Sequence, residues 1–163
     1  MRVPRLPDRY RPAVERAGFR KLKSARDPSC LTPFYSQIPS RYPRLFEALC
    51  LEYSWQEAVV GEVEFAPNPA GVDLAGLAAS IRYDRHLWNH LVFSGYLVFG
   101  RMSGGRYDPV AFNMGARKGH DAPVCRVDHE EILSFQRLGH PVQLVPSFLA
   151  LLEAAARDGE GAA

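Results

Sequence analysis

His86 and His90 stand four residues apart in a stretch with helical patterning, so both imidazoles fall on one helix face. That is the relative placement of the two histidines in a zincin helix. Position 87, where such a helix carries its general-base Glu, is Leu, and no third ligand is evident. The densest polar cluster is Asp121, Cys125, Asp128, His129, Glu130 and Glu131. Cys125 and His129 have ligand chemistry, and Asp128-His129 looks like a fragment of acid–base machinery. Strand alternation instead assigns Cys125 to the core. Asp128, Glu130 and Glu131 suit the first turn of a helix, where the macrodipole favours negative charge, and this structural reading outweighs the catalytic one. Ser103-Gly104-Gly105 is followed by a strand, whereas a phosphate loop opens a helix. No serine sits in a nucleophile elbow. The expectation is no catalytic residue, no metal ligand and no cofactor. A metal-dependent hydrolase built on His86, His90 or the Asp128 cluster is the weaker alternative.

The elements that position these residues follow from periodicity. Residues 96–99 and 107–114 read as strands joined by a tight glycine turn, and residues 124–127 as a third. Pro109 cannot donate to a ladder and belongs at an edge or a strand's start. Asp128 is a ready N-cap, with Glu131 completing something close to a capping box. The helix it opens is expected over residues 129–138, burying Ile132, Leu133 and Phe135 and stopped by Gly139 and Pro141. Earlier in the chain, a helix is expected from Ser40, as N-cap, to about Ser54-Trp55. Its apolar face is Tyr42, Leu45, Phe46, Leu49, Cys50 and Tyr53, with Glu47 and Glu52 off the stripe. Glu62 and Glu64 alternate with Val63 and Phe65 as in a half-buried strand. Residues 74–81 and 82–93, the latter capped by Asp84, read as helices. Residues 142–145 read as extended, and a last helix is expected over 146–156 with a frayed tail over 157–163.

The chain of 163 residues, 47% hydrophobic and 23% charged, has the composition of one ordinary globular domain. Cys30, Cys50 and Cys125 have no metal spacing and form no even-numbered framework, which suits a reducing cytosol. No run of about 18 apolar residues predicts a membrane span, and the basic N-terminus lacks a signal peptide's apolar region. A cytoplasmic location is therefore expected. The net charge of +2 hides an asymmetry: residues 1–41 carry ten Lys or Arg against three acids, and residues 42–163 carry ten against fifteen. Residues 1–37 thus read as a basic, proline-rich arm beside an acidic body, with a short helix between Arg11 and Arg20. Nucleic acid is not an expected partner of that arm, because aromatics are sparse and no recognised motif is present.

Four segments resemble the SMI1/KNR4 family, also called the SUKH superfamily. They are the proline–tyrosine helix IPSRYPRLFEAL from Ile38, the hairpin GYLVFGR from Gly95 with GRYDPVAFN from Gly105, the strand PVCRVDHE from Pro123, and the closing SFLALL from Ser147. The resemblance covers roughly residues 38–153 and sets a domain at 38–156. It implies an α+β fold, with a mainly antiparallel sheet (the central meander about residues 95–128) and helices packed against it. It also implies a non-enzymatic protein-binding role. Many bacterial members look like immunity proteins that neutralise a polymorphic toxin by direct binding, and others are intracellular scaffold or regulatory proteins. One departure is the helix end EYSW at Glu52–Trp55, where many members have an asparagine–glycine–glycine turn; it suggests a divergent subgroup. Arg101, Arg106, Tyr107 and Arg117, an arginine–aromatic mixture on the hairpin edges, are the expected partner-binding residues.

Overall fold

Phe99 and Phe112 stack with ring centroids 4.3 Å apart, and the rest of the core is arranged around that pair. The computed structural model describes residues 5–160. In chain order the helices are α1 (Arg11–Arg16), α2 (Leu31–Gln37), α3 (Arg44–Glu52), α4 (Ala75–Ile81), α5 (Arg85–Phe93), α6 (His129–Phe135) and α7 (Phe148–Glu160). The strands are β1 (Arg20–Lys21), β2 (Tyr53–Ser54), β3 (Val59–Val60), β4 (Val63–Phe65), β5 (Tyr96–Met102), β6 (Pro109–Asn113), β7 (Val124–Arg126) and β8 (Val142–Val145). The fold is α+β. Strands β3 to β8 form one antiparallel sheet in sequence order, and β1 and β2 pair separately.

Alternation along the central strands gives the sheet two apolar faces. Leu97, Phe99, Val110, Phe112 and Val124 enter the main core. Phe46 from α3 and Phe148 from α7 close on the Phe99–Phe112 pair with centroids 5.4 to 6.1 Å away. Burying each such ring contributes about 1.5–3 kcal/mol. Tyr96 and Val98 point to the other face, where they meet Leu91 of α5, Val127 and Ile132 of α6. The register of β5 against β6 shifts between Val98 and Gly100. A Cβ at Gly100 would lie 2.4 Å from the Glu64 carbonyl oxygen, so glycine is what allows β4 to approach.

Several expected boundaries shift. The connection between β5 and β6 is six residues, 103–108, rather than a tight turn, and Pro109 is the first residue of its strand. Helix α3 starts at Arg44 with Pro43 at its N-cap position, so Ser40 does not cap it, and it ends at Glu52 because Tyr53-Ser54 leaves to pair with β1. Helix α6 stops at Phe135, since Gln136 takes a left-handed conformation with φ 53°. That early stop leaves Leu133 49% and Phe135 64% exposed, with Ile132 alone of the three buried. The expected fraying from 157 is corrected as well: α7 continues to Glu160, and residues 161–163 lie outside the described residues.

The largest correction concerns the N-terminal segment. Residues 5–37 do not form an arm outside the domain: Leu6, Tyr10, Val14, Phe19, Cys30 and Phe34 are all part of the main core. Tyr10 donates to Glu153 Oε1 at 2.8 Å, and α1 packs on α7. Arg26 is 5% exposed and acts as an internal clamp. Its guanidinium donates to the carbonyls of Cys50 and Tyr53 at the end of α3 and to those of Pro69 and Gly71. Asn68 donates to the same Cys50 and Tyr53 carbonyls. A helix C-terminus leaves carbonyls without partners, and here a buried cation supplies them, with burial pushing the arginine below its ordinary pKa. Among the described residues no helix is long and apolar enough to cross a membrane.

Candidate functional site

The residues singled out by sequence gather at opposite ends of the central sheet. At one end the β3–β4 turn and the 103–108 connection lie side by side, joined by Ser103 N–H donating to the Glu62 carbonyl at 2.8 Å. Strand pairing puts Glu64 opposite Arg101, and the two side chains form a fork, Nε to Oε2 at 3.2 Å and Nη2 to Oε1 at 3.1 Å. Arg106 reaches Glu62 at 3.3 Å. Tyr107 is 68% exposed, its ring 6.1 Å from that of His129. Arg101, Arg106 and Tyr107 therefore share one surface.

The same end contains a cluster that the sequence did not join. Asp108, Asp128 and His129 offer ligand atoms within 4.8 Å of one another. His129 Nδ1 lies 2.7 Å from Asp108 Oδ1, and the His129 N–H donates to the same oxygen at 3.2 Å. Arg126 Nε stands 3.9 Å from the other Asp108 oxygen. Burial pushes the Asp108 carboxyl up, but the hydrogen bonds from His129 and the charge of Arg126 outweigh it and hold the group below its ordinary value. Asp128 caps α6, accepting from the N–H groups of Glu130 and Glu131, as its position before an acidic pair predicted. The arrangement orients an imidazole against a carboxylate, which is the geometry of a general base and equally of a link tying the strand start to the helix start.

Other expected candidates are dispersed. Cys125 is 3% exposed, and burial raises its thiol pKa, which disfavours the thiolate that nucleophilic and ligand chemistry requires. Cys30 and Cys50 are buried and free like it. His86 and His90 meet edge-to-face on α5 with centroids 4.9 Å apart. Asp121 lies at the far end of the sheet, where its carboxylate accepts from the N–H groups of Phe148 and Leu149 at 2.7 and 3.0 Å. It caps α7, together with Ser147 Oγ accepting from Ala150.

Arg117 is also at that far end, beyond β6, and does not join the other three expected partner-binding residues. It lines a cleft of about 310 Å³ between the start of α3 and the loop 114–121, with Arg41, Arg44, Met114 and Asp121 also on its walls. Behind Arg41 sits Glu47, which is 4% exposed although its place off the apolar stripe predicted a surface position. Its carboxylate accepts from Arg41 Nη2 at 2.9 Å and from Tyr35 Oη at 2.9 Å. Burial and then the Glu47 charge push the Tyr35 hydroxyl pKa well up. The signal in the sequence for this cleft is the arginine content of the segment around Tyr42, Arg41 and Arg44.

A scan against protein-family models found no match to this chain, and a search of curated proteins found none either. The likeness to the SMI1/KNR4 family is thus carried by the four quoted segments and stands as a resemblance.

Proposed function

We propose that this chain is a non-enzymatic protein-binding module of SMI1/KNR4 type, acting inside the cell as an immunity protein that occludes a cognate toxin. The observation that carries the reading is the turn end of the sheet. There Tyr107 projects with most of its surface free, flanked by Arg101 and Arg106 on two paired hairpins. Tyr and Arg dominate the energetics of protein interfaces because they combine large contact area with directional hydrogen bonding. The near-cancellation of charge in the Arg101–Glu64 and Arg106–Glu62 pairs suits a surface that must be desolvated on docking. Asp108 and His129 then serve as the support of Tyr107, and the buried Cys125 fits the absence of covalent chemistry in this reading.

The test is a protection assay in cells that carry both this chain and the toxin encoded beside its gene. The intact chain protects, and Tyr107→Ala together with Arg101→Ala abolishes protection while leaving the fold intact by circular dichroism. Flanking genes without a secreted toxin, combined with a pull-down from the source cells that recovers none, would sink the immunity reading. The alternative is an intracellular regulatory or scaffold protein without a toxin partner. It is favoured by the Glu52–Trp55 departure, where the Arg26 clamp and the β1–β2 pair occupy the place of the turn found in many members.

A further inference from the structure

We propose that the cleft lined by Arg41, Arg44 and Arg117 binds the phosphate group of a small phosphorylated ligand, independently of any protein partner at the other end of the sheet. Three guanidinium-bearing residues from two distant segments converge on one concavity of about 310 Å³, a volume at the small end of the range for small-molecule sites. The charged groups on its walls are the three arginines and one carboxylate, Asp121. That carboxylate is directed at the main chain of α7, where it accepts from Phe148, Leu149 and its neighbour Ala122. Its negative charge is balanced there by the positive end of a thirteen-residue helix.

Two further observations favour an anion. Arg41 is held before any ligand arrives: its Nη2 donates to both Glu47 oxygens, and its guanidinium lies 5.3 Å from the centroid of the Tyr35 ring. Such preorganisation lowers the ordering cost of binding. The cleft also opens on the start of α3, at Pro43 and Arg44, and no side chain caps that helix N-terminus, whereas α5 and α6 are capped by Asp84 and Asp128. One of its first N–H groups, that of Leu45, donates to the His120 carbonyl at 3.3 Å, so what the helix start adds in the direction of the arginines is its dipole. Phosphate is preferred over carboxylate by charge and acceptor count. A phosphate monoester brings about two negative charges and three terminal oxygens to the arginine-lined wall, where a carboxylate brings one charge and two oxygens. Met114 supplies an apolar wall for the part of the ligand that carries the phosphate.

The experiment is calorimetric titration of the full chain with inorganic phosphate and with pyrophosphate, against sodium chloride and citrate at matched ionic strength. Saturable binding of pyrophosphate with a dissociation constant of about 1 mM or tighter is expected. Arg117→Ala weakens it at least about tenfold, since one charge-assisted fork is lost. Arg117→Lys weakens it less, and Arg85→Ala, which removes an exposed arginine on α5, leaves it unchanged. Thermal melts of each variant check that the fold is kept. The proposal is overturned if neither phosphate probe saturates, if citrate binds as tightly as pyrophosphate, or if Arg117→Ala binds like the parent chain.

Discussion

The two ends of the central sheet use the same residue types to opposite effect. At the turn end, Glu62 and Glu64 come from one hairpin and Arg106 and Arg101 from the next, so neighbouring strands pair acid with base. Asp108 likewise sits between His129 and Arg126. At the far end the carboxylates are turned inward: Glu47 to Tyr35 and Arg41, and Asp121 to the main chain of α7. Arg41, Arg44 and Arg117 line an open cleft there. Cross-strand register pairs the charges of one surface, and loops meeting helix starts line a cleft with arginines at the other. A charge-paired surface suits a protein partner, and an arginine-lined cleft suits a small anion.

The largest effect is expected from the clamp that fixes α3, whose start forms one wall of the cleft. Arg26→Ala removes the donor of the Pro69 and Gly71 carbonyls and leaves those of Cys50 and Tyr53 to Asn68 alone, and a loss on the order of 3 kcal/mol in urea unfolding is expected. Phosphate binding should weaken in the same variant even where it remains folded, since the α3 start is no longer held from its far end. A variant as stable as the parent chain would show that the clamp does not position that wall. Next in size is Asp121→Ala, which removes two main-chain caps from α7 and is expected to cost about 2 kcal/mol. Asp121→Asn, which retains an acceptor oxygen, costs less. Equal losses for the two substitutions would mean that charge, not capping, is what Asp121 contributes.

How much of each end was legible in the sequence depended on sequence separation. The alternation of Glu62, Val63, Glu64 and Phe65, the caps at Asp84 and Asp128, and the burial of the three cysteines all follow from local pattern, and the structure has them. The Asp108–His129 contact joins residues 21 apart, and the Asp121 cap reaches 27 residues ahead. No periodicity encodes such pairs, because they depend on where strands and helices end. The burial of Glu47 was missed for a related reason. A carboxylate off the apolar stripe is ordinarily solvated, and only Tyr35 and Arg41, brought in from the segment before α3, make its burial favourable. The N-terminal segment read as an arm because its prolines and arginines mask short helices of six and seven residues. Those helices are held by tertiary contacts, not by propensity.

At the turn end, a smaller effect should appear only in acid. The Asp108 carboxyl is held below its ordinary value of 3.8, so the stability it contributes is complete above that value. This contribution is lost as pH falls through the lower folded-state pKa. Urea midpoints measured between pH 5 and pH 2, intervals of about one unit, should therefore fall more for the parent chain than for Asp108→Asn, with the two curves converging at the acid end. Parallel curves would show that the His129 contact is not linked to folding.

The smallest effect on stability is the most informative about function. Arg101 is 54% exposed and Glu64 30% exposed in their pair, and surface pairs of this kind are worth about 0.2–1 kcal/mol. A double-mutant cycle of Arg101→Ala and Glu64→Ala should return a coupling in that range by urea unfolding. If the turn end is an interface, the same Arg101→Ala change costs a partner more than about tenfold in affinity, because a fork desolvated in a complex is worth more than one in water. The fork would then be a recognition element that contributes little to the fold, the opposite of Arg26, which contributes to the fold and is hidden from any partner. Should the cycle instead give several kcal/mol, the Arg101–Glu64 pair is structural, and the contrast between the two ends becomes one of stability alone.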